Sequence, residues 1–267
     1  MIFSKNILIS GPLDAYHNMA YDEVLLRACI KGKAAVPVLR FYDWKMRALS
    51  IGYFQRVQVA LDYARANGVD FEIARRMTGG GIVLHGNDIT FSLVVKDTVL
   101  NGLSSLNKSS IVDSYYYVNN AIKKGIDILL GKSDSPDMSL ETKQASSKDT
   151  KFCFNEPTKH DVLYSGKKIA GGAQRRIDGY VMYQGSILFR QEIDIGKDKR
   201  FTDSSITLHD VCGRDLTKDA ACIALQQGFT LVFGDIETDS MIDQLFIESV
   251  GKLAIDKYAT HEWNYKR

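Results

Sequence analysis

Three short segments of this 267-residue chain combine residue types that could carry out chemistry. The first contains Arg75, Arg76, Gly79, Gly80, Gly81 and, four residues later, His85. Consecutive glycines let a backbone adopt positive φ and pass close to a ligand, and two neighbouring arginines could hold a carboxylate or phosphate. A tight hairpin turn with solvated arginines would explain the same pattern. The segment is not a P-loop, because no Gly-Lys-Ser/Thr ends it.

The second segment, GKKIAGGAQRR (166–176), places Lys168 among small and apolar residues on a strand-like stretch. An ammonium group in such surroundings would lose hydration and would need an anionic or thiolate partner. The alternative is an edge strand whose lysine points to water.

The third segment centres on Cys153, which lies between Phe152 and Phe154 just after a polar, serine-rich stretch. A lone cysteine is usually a small buried hydrophobe. Basic and aromatic neighbours beside a polar loop also suit a partly exposed, nucleophilic thiolate. We expect no metal site, because the histidines and cysteines lack the spacing of metal ligands.

Hydrophobic periodicity predicts the elements that must position these residues. Strands are predicted over residues 2–9, 36–44, 48–54, 70–77, 82–95, 160–171 and 180–189, and helices over 15–31, 56–67, 109–130, 216–232 and 239–257. Gly11-Pro12 should end the first strand. Residues 131–150 should form an exposed, mobile loop that becomes ordered when a partner docks. This order of elements predicts an α/β or α+β fold with a largely antiparallel or mixed sheet.

The overall composition excludes several classes of protein. Hydrophobic residues make up 45% and charged residues 25%, as in ordinary globular domains. A net charge of +2 gives no reason to expect a nucleic-acid partner. Without a long apolar stretch we expect no membrane span, and four cysteines without CxxC spacing favour a reducing cytoplasm.

Together, the segments resemble the biotin/lipoate protein ligase superfamily. The resemblance rests on RRMTGGGIVLH (75–85) and GKKIAGGAQRR (166–176), with support from NMAYDE (18–23), RFYDW (40–44), IGYFQ (51–55) and QGSIL (184–188). It covers roughly residues 15–235 and implies the catalytic module of class II aminoacyl-tRNA synthetase-like ligases. That module is an α/β (α+β) fold with a central mixed sheet flanked by helices. We expect a single catalytic domain over 1–267, without the large C-terminal accessory domain of many single-chain lipoate ligases.

The resemblance also implies which residues act. In this superfamily the lysine that matches Lys168 is essential, and it contacts the acyl-adenylate in the ligases. In the cysteine-dependent octanoyltransferases (the LipM type) and the lipoyl amidotransferases (the LipL type), it partners an acyl-accepting cysteine, where Cys153 stands here. Cys153 and Lys168 are therefore the expected catalytic residues. The expected substrate-binding residues are Arg75, Arg76, Gly79, Gly80, Gly81, His85, Gly171 and Gln174.

The activity that the resemblance implies is acyl transfer in protein lipoylation. An octanoyl or lipoyl group would pass from an acyl carrier protein, through a thioester on Cys153, to the lysine of a lipoyl domain of a glycine-cleavage H protein or an E2 subunit. This route needs no cofactor. Three alternatives stay open on sequence alone: an ATP-dependent lipoate–protein ligase, which would use ATP and Mg, a lipoyl amidotransferase, and a non-catalytic member that binds an acyl chain or a partner.

Overall fold

Two mixed β-sheets form the framework of the protein. A computed structural model describes residues 7–33, 36–68, 70–104, 110–143, 152–154, 156–191, 203–234 and 243–266. The ten strands in these ranges are β1 (Ile7–Leu13), β2 (Val38–Trp44), β3 (Ala48–Ile51), β4 (Glu72–Arg75), β5 (Val83–His85), β6 (Asp88–Lys96), β7 (Met138–Leu140), β8 (Val162–Tyr164), β9 (Lys167–Ile177) and β10 (Tyr180–Leu188). The larger sheet has the order β1-β2-β6-β10-β9-β8-β7, and the smaller sheet has the order β4-β3-β5.

Both sheets contain one parallel pair, β1–β2 in the larger and β3–β4 in the smaller, and their other pairs are antiparallel. The helices described are α1 (Ala15–Ile30), α2 (Val57–Asn67), α3 (Asp97–Leu103), α4 (Ile111–Leu129), α5 (Leu208–Cys212), α6 (Lys218–Phe233), α7 (Gln244–Leu253) and α8 (His261–Asn264), with a π-helical turn at Ala254–Tyr258. The predicted class, a mixed sheet flanked by helices, is confirmed.

Helices cover both faces of the larger sheet, so its central strands are buried on both sides. In β2, Leu39 and Phe41 point into the core shared with α4 and α6, whereas Val38 and Tyr42 point into the core shared with α1 and α7. This alternation follows from the two-residue period of a strand. In β6 every residue but Lys96 is buried, including the polar Asp88, Thr90 and Ser92, and buried polar side chains of this kind need hydrogen-bond partners within the protein.

Side-chain caps fix where the helices that carry the site begin. The Asp14 side chain accepts a hydrogen bond from the backbone N–H of His17 at the start of α1. Ser110 and Asp113 form a reciprocal capping box at the start of α4.

Several predicted boundaries are wrong for identifiable reasons. The first strand does not end at Gly11-Pro12, because a register shift between Ser10 and Leu13 lets the pairing with β2 continue. The stretch 82–95 forms two strands rather than one, since Gly86 adopts a φ of 135° between them. The stretch 160–171 likewise spans β8 and the start of β9.

Part of the predicted 131–150 loop is also a strand, because β7 pairs with β8 at the end of the larger sheet. Residues 144–150 lie outside the described residues, as do 2–6 of the predicted first strand and 239–242 of the last predicted helix. The expected ordering of 131–150 on partner binding stays a prediction.

Candidate active site

Cys153 is held against the glycine turn by its backbone. Its N–H donates to the carbonyl of Ile82 at 2.9 Å, and Phe152 forms a parallel bridge with the same residue. A Cβ on Gly81 would lie 2.9 Å from the Cys153 nitrogen, so the close approach requires glycine there. The Cys153 side chain is half-buried.

Lys168 reaches Cys153 from β9 and is fully buried. Its Nζ lies 3.5 Å from Cys153 Sγ, 2.9 Å from the Cys153 carbonyl oxygen and 2.5 Å from Oδ2 of Asp161. These three contacts use the three donors of the ammonium group. The sequence predicts an anionic or thiolate partner for Lys168, and the structure places both the Asp161 carboxylate and the Cys153 sulfur beside it. Asp161 has no motif that would identify it from sequence.

The charge of Lys168 follows from these contacts. Burial by itself would lower the pKa of Lys168, but the Asp161 carboxylate and Cys153 raise it above its ordinary value. Burial raises the pKa of Asp161, and the Lys168 ammonium opposes that effect. Lys168 is therefore an ammonium at neutral pH. The ammonium lies in contact with the Cys153 sulfur, where it can stabilise negative charge during a reaction.

Arg76 fixes the shape of the glycine turn. Its guanidinium donates to the carbonyls of Gly79 at 2.6 Å, Gly81 at 2.7 Å and Ser50 at 2.9 Å. Gly80 has a φ of 84°, a conformation that other L-residues rarely adopt. Burial lowers the pKa of Arg76 to about 10. The arginine therefore supports the turn from within the protein while it lines the pocket described below.

The neighbouring Arg75 does not contact the pocket. Its guanidinium donates to backbone carbonyls on two sides, those of Gly52, Tyr53 and Gln55 after β3 and those of Trp263 and Asn264 in α8. Arg75 and Arg76 are adjacent, so their side chains leave the backbone on opposite sides. Arg75 thus holds a scaffold position in the structure, and its substrate-binding role stays a prediction.

A pocket opens between the glycine turn, β9 and β10, and Cys153 lies in its wall. The space between its walls, mouth included, is about 400 Å³. Its lining is Met19, Tyr42, Trp44, Ser50, Arg76, Gly80, Val83, His85, Thr90, Cys153, Gly171, Gly172, Ala173, Gln184, Gly185 and Ser186. The predicted residues Arg76, Gly80, His85 and Gly171 are thus brought together with Cys153. Glycine at 171 makes room for the Lys168 side chain, because a Cβ there would lie 2.7 Å from Lys168 Cε.

His85 is part of a buried polar network in this wall. Its Nε2 lies 2.8 Å from Ser50 Oγ, its Nδ1 lies 2.8 Å from Asp88 Oδ2, and its ring stacks on Trp44 with centroids 4.0 Å apart. Burial by itself would raise the pKa of Asp88, but His85 and two neighbouring hydroxyls lower it to about 2. The network holds the imidazole in one orientation.

Gln174 is not among the residues that line the pocket, and its substrate-binding role stays a prediction. Its amide bridges to the start of α4, accepting from Ser114 Oγ and donating to the carbonyl of Ile111, each at 2.8 Å. Successive side chains of a strand point to opposite faces, and the residue before Gln174 in β9, Ala173, lines the pocket.

Gln184 is the pocket glutamine that the sequence analysis missed. Its Nε2 donates to Asp22 at 2.7 Å, and its Oε1 accepts from Thr78 Oγ1 at 2.8 Å. Asp22 also accepts from the buried Arg40 at 2.7 Å. Asp22, Arg40 and Gln184 all lie in segments that carried the family resemblance, which was the available signal for them.

The site therefore combines a nucleophilic sulfur, a lysine ammonium and a carboxylate beside a mostly apolar pocket. Such a set can form and break a thioester on an apolar acyl group. In the part of the chain that the structure describes, no cluster of His, Cys, Asp or Glu side chains could hold a metal ion. Within the same ranges, no helix is both long and apolar enough to cross a membrane.

Known proteins with similar sequences and structures include octanoyltransferases and lipoate-protein ligases. A family model described as the lipoyl protein ligase A/B catalytic domain matches residues 14–230. The Octanoyltransferase LipM of Staphylococcus aureus is 31% identical over 279 aligned positions, which cover 98% of each chain. A crystal structure of lipoate-protein ligase A bound with ATP superposes with a TM-score of 0.75 at 27% identity, covering 98% of this chain and 99% of that one. A bipartite lipoate protein ligase of Thermoplasma acidophilum, studied with its E2 lipoyl domain, gives a TM-score of 0.71 at 25% identity, covering 99% and 97%.

Proposed function

The chain belongs to the lipoyl protein ligase A/B catalytic-domain family, and from that premise we propose that it is an octanoyltransferase of protein lipoylation that works through a thioester on Cys153. Full-length similarity to relatives named octanoyltransferase supports the activity. The observation that carries the covalent mechanism is the contact of 3.5 Å between Lys168 Nζ and Cys153 Sγ.

In the first half-reaction the Cys153 thiolate attacks the carbonyl carbon of an octanoyl thioester on an acyl carrier protein. The carbon–sulfur bond of the donor breaks, and the donor leaves as a thiolate, which takes up the proton that Cys153 released to the solvent on ionising. The Lys168 ammonium stabilises the sulfur before attack. The apolar pocket holds the acyl chain, and burial of each CH₂ contributes about 0.8 kcal/mol to the free energy of binding.

In the second half-reaction the lysine amine of a lipoyl domain attacks the Cys153 thioester. An amide forms on the acceptor, and Cys153 returns as the thiol. The similar Thermoplasma ligase, which was studied with an E2 lipoyl domain, supports this class of acceptor. Because the thioester is already activated, the reaction consumes no ATP. Four cysteines that are free in the structure favour the reducing cytoplasm as its location.

The test is intact mass of the protein after mixing with octanoyl carrier protein in the absence of nucleotide. We expect an octanoyl adduct that hydroxylamine removes, and transfer to a lipoyl domain. Cys153→Ala should lose both, while Cys29→Ala, a buried cysteine of α1, should keep both if it folds. Strict dependence on free lipoate and ATP, with full activity in Cys153→Ala, would establish the ligase instead.

The ligase alternative is retained because a solved relative at 27% identity binds ATP. The amidotransferase alternative differs only in its donor. It is separated from the octanoyltransferase by offering octanoyl carrier protein and an octanoylated lipoyl domain in parallel and comparing the rates of adduct formation.

A further inference from the structure

The position of Lys168 raises a chemical problem for the acyl-enzyme. Its Nζ lies 3.5 Å from the sulfur that would carry the octanoyl thioester. Attack of a lysine amine on that thioester is also the reaction that the proposed function performs on the lipoyl domain. A neutral Lys168 would therefore compete with the acceptor for the acyl group, at far higher effective concentration.

The charge balance around Lys168 changes when Cys153 is acylated. In the free enzyme the ammonium lies between two acidic groups, Cys153 and Asp161. A thioester sulfur carries no charge, so acylation removes one of these two potential anions. Asp161 then remains as the carboxylate in direct contact with the ammonium.

We propose that Asp161 is a positioning residue that keeps Lys168 as an ammonium in the acyl-enzyme and so prevents the enzyme from acylating its own catalytic lysine. This inference rests on the proposed function. An ammonium has no lone pair, so it cannot attack the thioester, whereas it can still stabilise the departing sulfur.

The fold holds the Asp161 carboxylate firmly in this position. Its Oδ2 accepts from the backbone N–H of Thr158 at 2.7 Å as well as from Lys168, and its own N–H donates to the Thr158 carbonyl at 2.9 Å. A Cβ on Gly171 would lie 2.5 Å from Asp161 Oδ1, so glycine at 171 makes room for the carboxylate. Both Asp161 and Lys168 are shielded from water.

The self-acylation that Asp161 would prevent is a balanced step. The Lys168 nitrogen forms a bond to the octanoyl carbonyl carbon, the carbon–sulfur bond to Cys153 breaks, and the proton lost by nitrogen ends on the sulfur. The product is an amide, which hydroxylamine does not cleave under conditions that cleave the thioester. The enzyme would lose its catalytic lysine.

The direction of the pH effect follows from the same contacts. Burial by itself lowers the pKa of Lys168, whereas the Asp161 carboxylate raises it. Once the sulfur is acylated, removal of that carboxylate should therefore lower the pKa of Lys168. Among the described residues, the other titratable groups coupled to this cluster are Glu141 after β7, His160 before β8, Tyr115 of α4, Tyr183 of β10 and Arg76 of the glycine turn.

The experiment follows the octanoyl adduct on Asp161→Asn. After mixing with octanoyl carrier protein over a pH series, the protein is treated with hydroxylamine and digested for peptide mass mapping. We expect a hydroxylamine-resistant octanoyl group on Lys168, with a yield that rises with pH and a matching loss of turnover. Asp161→Ser is made in parallel in case Asn prevents folding, and Asp161→Glu, which keeps the charge, should form less amide than Asn.

The matched control is Asp127→Asn, which removes another buried carboxylate that pairs with a lysine, Lys123, at 2.8 Å on α4. It should cost stability but form no resistant adduct. Wild type should form the amide only above the ordinary lysine pKa of about 10.4.

The outcomes separate this inference from the proposed function. A labile adduct on wild type, together with an Asp161→Asn adduct that stays fully labile at every pH, overturns the role of Asp161 alone. Resistant amide on wild type at neutral pH, or equal amounts in the Asn and Glu variants, also overturns it. No octanoyl adduct of either kind on wild type overturns the proposed function.

Discussion

At the scale of the residue, surroundings distinguish Cys153 from the other cysteines. Burial raises the pKa of Cys29 and of Cys222 to about 12, and it also raises the pKa of Cys212. None of these three has a lysine ammonium within hydrogen-bonding distance in the described structure. A thiol is nucleophilic only when ionised.

We therefore expect iodoacetamide at neutral pH to alkylate Cys153 well before Cys29 or Cys222. The measurement is peptide mass mapping over a time course in native protein. Lys168→Met should slow alkylation of Cys153, because the cation beside the sulfur is lost. Equal rates at Cys153 and Cys29 would contradict the assignment of a reactive thiolate.

Arg75 and Arg76 show what sequence alone could not resolve. A run of two arginines before three glycines predicted an anion site, and both residues were assigned to it. Which side chain faces the pocket depends on the twist of β4 and on a contact with residue 264, which lies 189 positions away. Only the folded structure contains that information.

The scaffold role of Arg75 predicts the effect of Arg75→Lys. Lysine keeps the charge but cannot reach carbonyls on two sides, so several buried carbonyls lose their donor. We expect the free energy of unfolding to fall by about 3 kcal/mol or more. Urea unfolding measures this, and acylation per folded molecule should stay within about twofold. A large rise in KM without loss of stability would support the substrate-binding role.

At the scale of the element, α4 and α6 approach each other closely at two glycines. A Cβ on Gly228 would lie 2.3 Å from the carbonyl oxygen of Ala121, and one on Gly125 would lie 2.6 Å from Leu225 Cα. These two helices cover one face of the larger sheet, so the distance between them affects how the core beneath them packs.

Gly228→Ala should therefore destabilise the protein, although alanine favours helices by about 1 kcal/mol. The clash with backbone costs about 1–3 kcal/mol and forces the helices apart, so we expect a net loss in thermal unfolding. Gly102→Ala in α3 is the control, because no atom lies within 4 Å of its Cβ position. It should be neutral or stabilising. Stabilisation by Gly228→Ala would contradict the described helix contact.

The elements that the sequence predicted well are those with strong periodicity. Helix 109–130 was predicted within two residues of α4, whose buried apolar residues Val118, Ala121, Ile122 and Ile126 face one core. The errors fall where backbone conformation rather than pattern decides, as at Gly86. The catalytic pair could be proposed because two motifs resemble a family, whereas Asp161 has no motif of its own and became visible only through its contact with Lys168.

At the scale of the whole molecule, buried charges link elements that are distant in sequence. Asp88 of β6 accepts from His85, Thr90 and Ser186, the last of these 98 positions away on β10. Its pKa of about 2 lies below the ordinary value of 3.8. A carboxyl with a depressed folded pKa contributes stability above its unfolded pKa, and that contribution is lost as pH falls through the folded value.

Asp88 should therefore contribute about 2 kcal/mol of stability at neutral pH that disappears between about pH 4 and pH 2. Asp88→Asn should lower stability at pH 7 and flatten the pH dependence of unfolding in that range. Chemical denaturation at a series of pH values measures both effects. Asp137→Asn, which alters an exposed carboxylate, should leave the curve nearly unchanged. An unaltered slope in Asp88→Asn would disprove the assigned role.

The attachment of α8 to β4 has a consequence for the order of events during synthesis. The backbone N–H of Arg75 donates to the Asn264 side chain, and Trp263 Nε1 donates to the Arg75 carbonyl. A ribosome exposes β3, β4 and the glycine turn long before it has added residue 264. Until then, β4, which leads into the glycine turn, lacks the hydrogen bonds that α8 makes with Arg75. The nascent chain can therefore pair β3 with β4 before the hydrogen bonds that fix Arg75 from α8 are available.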